Sequence, residues 1–161
     1  MNELNLLIDA SVNPKTKVGY GAYLFVSDIQ DSPGQLRDQV QVKRFENTSS
    51  TKLELQTLLW AFENIPKTAS KILIYTDSQN IKGLLGRRQR LKKNNYRSKK
   101  DRAFNNAELY QQFYRRADQI DCEIIKIKGH KKSVQKNNID RLFTWVDRTA
   151  RSALRNSVST G

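Results

Sequence analysis

Cysteine is almost missing from this sequence, whose single thiol, Cys122, has no partner for an internal disulfide. The apolar neighbours of Cys122 predict a buried strand position instead. Long hydrophobic runs are also missing, and none reaches the roughly 20 residues needed to span a bilayer. The opening Met1-Asn2-Glu3-Leu4-Asn5 lacks the basic stretch of a secretory signal. These absences predict a soluble, monomeric, cytoplasmic protein with no membrane contact. No internal repeat is present, and 161 residues suit one domain, 1–161, able to bury a core without disulfide or structural metal. Acidic residues are in deficit: 16 Asp and Glu stand against 29 Lys and Arg, a net charge of +13. Such an excess, clustered as it is here, points to a polyanionic partner, because cationic side chains displace condensed counterions from a phosphate backbone. A merely solvated basic surface is the competing explanation.

The pattern of what is present changes period along the chain. Leu4 to Asp9, Lys17 to Val26 and Val40 to Glu46 read as three strands in an antiparallel meander. Gly19 and Gly21 allow close backbone approach, and Ser27 to Gln39 reads as a turn. Leu55, Leu58, Leu59, Phe62 and Ile65 then follow a helical spacing stopped by Pro66. Lys71 to Tyr75 is a further strand ending at Thr76-Asp77, followed by a helix from Ser78 to Leu85. A basic stretch over about 86–104 precedes a helical pattern from Ala107 to Ile120. A fifth strand covers Glu123 to Lys128, and a last helix runs from about Asn138 to Arg155, with Asn156 to Gly161 expected to fray. The order predicts an α/β fold, a five-stranded mixed sheet flanked by helices.

Asp9 and Asp77 each end an apolar strand. If the strands are neighbours, the two carboxylates meet at one buried edge of the sheet, where hard, oxygen-preferring cations such as Mg²⁺ relieve their repulsion. Either residue alone could equally be a strand-terminating turn aspartate. Glu54 closes a capping-box pattern, Thr51-Lys52-Leu53-Glu54, yet it borders the buried stripe of its helix, so cap and ligand are both open to it. Asp147 lies on the same kind of border, about 40° from Phe143 around the helix, and could instead pair with Arg151 one turn on. Asp140 shares that border two turns earlier, about 10 Å away along the axis, so one of the two can serve a compact site, and Asp140 is expected to be a solvated charge near the helix start. His130 follows Lys128-Gly129 in a lysine-rich loop.

In this order the motifs resemble the ribonuclease H family, closest to the bacterial type 1 enzymes, from Leu4 to about Leu154. Ile8-Asp9-Ala10-Ser11 with Gly19-Tyr20-Gly21-Ala22 looks like the family's first strand and hairpin. Leu53-Glu54-Leu55 is similar to its Glu-bearing helix, and Tyr75-Thr76-Asp77-Ser78-Gln79 contains its most specific motif, Thr-Asp-Ser. Lys128-Gly129-His130 and Asp147-Arg148-Thr149-Ala150-Arg151 resemble its last two motifs. The resemblance implies an endonuclease that hydrolyses the RNA strand of RNA–DNA hybrids to 5′-phosphate products. It implies two Mg²⁺ ions, with Mn²⁺ as a possible substitute, held by Asp9, Glu54, Asp77 and Asp147, and His130 assisting catalysis. Ser50, Thr51 and Gln79 stand where the family meets the hybrid's minor groove. Arg97, Lys99 and Lys100, with Arg87, Arg88, Arg90, Lys92, Lys93 and Arg102, resemble its basic protrusion, anchored here by Leu91, Tyr96 and Phe104.

Some positions depart from the family. Ala10 stands where glycine is usual, Ser50 and Thr51 replace asparagines, and the basic stretch lacks tryptophans. The spacing from His130 favours Asp140 as fourth carboxylate, whereas the following Ala-Arg favours Asp147. A DNA nuclease of resolvase or transposase type and a non-catalytic hybrid-binding module are the competing functions. Clustered carboxylates argue against the second, since a simple binder gains nothing from negative charge beside phosphates.

Overall fold

Strand β1 (Glu3–Asn13) is the centre of a five-stranded sheet in the computed structural model, which describes residues 3–29, 33–95, 106–128 and 137–159. It pairs antiparallel with β2 (Val18–Val26), and β2 in turn with β3 (Gln41–Phe45). The β1–β2 hairpin closes on Asn13, whose side-chain Oδ1 accepts from Lys15 N at 2.9 Å. On the other side of β1 lies β4 (Lys71–Thr76), parallel to it, followed by parallel β5 (Asp121–Lys126), so the order is β3-β2-β1-β4-β5. The expected mixed sheet is present, antiparallel in its first three strands and parallel beyond.

The connections hold α1 (Pro33–Leu36), α2 (Ser50–Glu63), α3 (Gln79–Lys82), α4 (Leu84–Lys93), α5 (Ala107–Ala117) and α6 (Asn138–Ser159). Period-two alternation in the central strands feeds two cores. On one face Leu6 and Ile8 of β1 join Ile72, Ile74, Leu58, Phe62 and Phe113 under α2 and α5. On the other, Leu7, Leu24 and the half-buried Tyr75 pack beneath Leu142, Val146 and Ala150 of α6. Each such fully buried side chain contributes roughly 1.5–3 kcal/mol of transfer free energy. The two glycines of β2 let α2 lie close to the sheet: a Cβ on Gly21 would sit 2.0 Å from Thr57 Oγ1, and one on Gly19 2.5 Å from Leu53 Cδ2.

Three local expectations are corrected. The presumed turn at Ser27–Gln39 contains α1 and a 3-10 turn, Arg37–Gln39. The presumed single helix from Ser78 is two, α3 and α4, which meet at Gly83. The basic stretch, to which the sequence assigned no element, is helical as far as Lys93, and Leu91 anchors it in the core as expected. The last helix continues through Ser159, beyond the point expected to fray. Cys122 lies in β5, half-buried. Among the described residues, no helix is long and apolar enough to cross a membrane.

Candidate active site

Leu7 and Tyr75 are the last paired residues of the parallel β1–β4 ladder, and both belong to the α6-side core. Two residues further on stand Asp9, still within β1 and by strand alternation on that same side, and Asp77, the first residue past β4. The carboxyl ends of parallel strands are the usual place for ligands in open α/β sheets. Asp9 is half-buried and Asp77 exposed, so Asp77 is not the buried-edge carboxylate expected of it.

Helix α6 brings in Asp147. Its side chain forms an ion pair with Arg151, Nε to Oδ1 at 2.9 Å, and also meets Asp9. The carboxyl of Asp9 is pushed up to about 9, chiefly by burial, then by donating a hydrogen bond to Asp147 and by the negative charges of Asp77 and Asp147; the Ala10 amide opposes this at 2.9 Å. Asp140 has a different task. It is 6% exposed, and its Oδ2 accepts from Asn137 N at 3.1 Å while its own amide donates to Asn137 Oδ1 at 3.0 Å. That reciprocal pair caps the start of α6, so Asp140 is a buried cap and not the solvated charge expected.

Glu54 enters from the opposite face, on the first turns of α2. The helix is capped by Ser49, whose Oγ accepts from Lys52 N at 3.4 Å, rather than by the expected Thr51 box. Glu54 is thereby left to other partners. Ser78 Oγ donates to its Oε2, and Ser50 Oγ to its Oε1 at 3.4 Å. Burial raises the Glu54 carboxyl, the two serine bonds lower it, and the nearby Asp77 charge raises it again. Ser78 also caps α3 by accepting from Ile81 N at 3.1 Å. Its second bond, to Glu54, ties the starts of α2 and α3 together and had no signature beyond its place after Asp77. Gln79 is exposed beside this contact, and Thr51 is half-buried.

The four carboxylates therefore form a row linked in pairs, Asp147 to Asp9, Asp9 to Asp77 and Asp77 to Glu54. Among the described residues, no three acidic, histidine or cysteine side chains stand close enough to make a ready-formed metal cage. Mutual repulsion favours such spreading. An all-oxygen donor set suits hard divalent cations, whose binding would displace the proton that Asp9 retains. His130, Arg97, Lys99, Lys100, Tyr96 and Phe104 lie outside the described residues.

The basic residues of α4 divide into two groups. Arg87 donates to Asn80 O at 2.5 Å, and Arg88 grips Asp118 through both guanidinium nitrogens at 2.5 and 2.6 Å while lying over the Tyr114 ring. These two hold α4 to its neighbours. Arg90, Lys92 and Lys93 point to solvent.

The ribonuclease H family model, described as RNase H, matches residues 1–154. The chain belongs to the ribonuclease H family. Its members are nucleases that act on RNA–DNA hybrids and generally depend on divalent metal. Among curated proteins, none matches this sequence.

Proposed function

We propose that the protein is an endoribonuclease that cleaves the RNA strand of RNA–DNA hybrids, using Mg²⁺ or Mn²⁺ held in a pair by Asp9, Glu54, Asp77 and Asp147, and leaving 5′-phosphate ends. The observation that carries this reading is the row of four carboxylates, contributed by β1, α2, the end of β4 and α6, in which burial first and the neighbouring acids second raise the Asp9 carboxyl. When bound, the cations supply a lowered pKa for the attacking water and charge stabilisation for the departing 3′-oxygen.

The chain's own residues prepare that chemistry. On cation binding Asp9 would release its proton to solvent, and with it the hydrogen bond to Asp147, leaving both carboxylates as ligands. Ser50 and Ser78 hold the two oxygens of Glu54, fixing its orientation toward Asp77. Arg151 keeps Asp147 turned toward the strand end. Ser50, Thr51 and Gln79, at the starts of α2 and α3, are placed to meet 2′-hydroxyls, the groups that separate RNA from DNA. His130 assists proton movement or product departure, and Arg97, Lys99 and Lys100 take the DNA strand's phosphates.

The test is incubation with labelled RNA–DNA hybrid, duplex DNA and duplex RNA, each with and without Mg²⁺. Cleavage confined to the RNA of the hybrid, and only with metal, is expected. Cleavage of duplex DNA instead, or hybrid cleavage that persists in chelator, would overturn the reading.

A further inference from the structure

Helix α6 carries arginine at 141, 148, 151 and 155 and no lysine. At 3.6 residues per turn these four fall within an arc of about 80°, and all four are exposed. Arg141 to Arg155 covers about 21 Å of helix, the length of about six base-pair steps at 3.4 Å. The two acidic residues of the helix do not interrupt the array. Asp140 is buried, and Asp147 borders the arc at the carboxylate row, paired with Arg151. Among the described residues, none of Arg141, Arg148 and Arg155 pairs with a carboxylate.

The 3-10 turn extends the array. Arg37 and Arg148 both lie over the Trp145 ring, at 5.0 and 5.3 Å from its centroid. Stacking fixes both guanidiniums in place and lowers the entropy they lose on binding. The nearby acidic group is Asp38, 3.9 Å from Arg37 and pointing to solvent.

We propose that this outer face of α6 is a second nucleic-acid-binding surface, which takes a phosphate backbone along its arginine track. It lies on the sheet face opposite α2 and α5, against which Leu84 and Leu91 of α4 pack, so it is separate from the basic side chains of α4. Arginine suits such a track because its planar fork engages phosphate oxygens in pairs. A protein partner fits less well: stable protein interfaces have an apolar centre, whereas Thr144 lies within the arginine arc, Ser152 and Asn156 border it, and the Trp145 ring beside it is covered by Arg37 and Arg148. The proposal does not depend on the catalytic reading, because it concerns binding and not cleavage.

The test combines Arg141→Gln, Arg148→Gln and Arg155→Gln, leaving Arg151 with Asp147. Binding to a long duplex DNA is followed by fluorescence anisotropy in chelator across a salt series, so hydrolysis plays no part. The variant should bind about tenfold more weakly, and its salt slope should become shallower by about 0.9 for each lost phosphate contact. Its kcat and KM on a short hybrid should remain those of the unaltered protein. The double variant Arg141→Gln with Arg155→Gln leaves the Trp145 stack intact and should move the slope in the same direction by less. Triple replacement by lysine should keep the slope. Unchanged duplex affinity and slope in both glutamine variants would overturn the proposal. So would loss of binding to poly-glutamate with duplex binding intact, which would assign the face to an acidic protein.

Discussion

The carboxyl of Asp9 donates a hydrogen bond to Asp147, joining the central strand to the last helix across the end of the sheet. Such a bond requires a proton between two acids, and it adds to burial, the larger cause, in pushing the Asp9 carboxyl up to about 9. The folded-state value lies above the ordinary aspartate value of 3.8. The metal-free fold therefore has its full stability from this group below pH 4 and loses it progressively as pH rises through 9. Asp9→Asn keeps a donor and removes the titration. It should raise the metal-free melting temperature at pH 8 by at least about 2–4 °C, the shift expected of 1 kcal/mol in a chain of this size, with a smaller difference at pH 5. Calorimetry in chelator at the two pH values measures this, and a lower melting point at pH 8 would refute it. The same substitution should abolish hybrid cleavage.

Asp147 and Asp140 should separate cleanly. Asp147→Asn is expected to lower kcat about 100-fold, roughly 2.7 kcal/mol of transition-state stabilisation, with little change in melting temperature. Asp140→Ala removes a buried cap and should cost about 1–2 kcal/mol of stability while kcat stays within a few-fold. Kinetics and denaturant titration of both proteins decide the matter, and the reverse pattern would assign the fourth carboxylate to Asp140.

Two glycines should respond in opposite directions. A methyl group on Gly21 would overlap Thr57, so Gly21→Ala should destabilise by about 1–3 kcal/mol, the usual cost of overpacking. A methyl on Gly86, within α4, meets nothing within 4 Å. Gly86→Ala should stabilise by about 0.5–1 kcal/mol through helix propensity and a less flexible unfolded chain. Urea unfolding of the two variants suffices.

The division of labour within α4 is equally open to measurement. Neutralising Arg90, Lys92 and Lys93 to Gln should raise KM for hybrid and make the salt slope shallower by about 0.9 per lost contact, without moving the melting temperature. Arg88→Ala breaks the bond to Asp118 and should loosen α4, seen as faster amide exchange there. If Arg88 alone dominated the salt slope, its structural assignment would fail.

The five strands, their mixed sheet and the placing of Asp9 and Asp77 at strand ends were readable in the sequence, because burial imposes a period of two on apolar residues in strands; helix α1 and the break between α3 and α4 were not. Local patterning could not decide which of two equivalent positions a side chain uses. Thr51 and Ser49 both look like caps, and Asp140 and Asp147 both border the same stripe of one helix. The choice rests on where α2 and α6 settle on the sheet: Gly19 and Gly21 let α2 close down so that Glu54 meets Ser78, and Ala150 and Val146 seat α6 so that Asp147 reaches Asp9 while Asp140 turns inward to Asn137. The division of the arginines likewise emerged only in three dimensions, since a guanidinium that grips Asp118 and one that faces solvent are the same letter in the chain. Composition determines how much positive charge the protein carries, and packing determines which of it remains available to a phosphate, because a contact between distant residues depends on both partners and on the backbone that holds them.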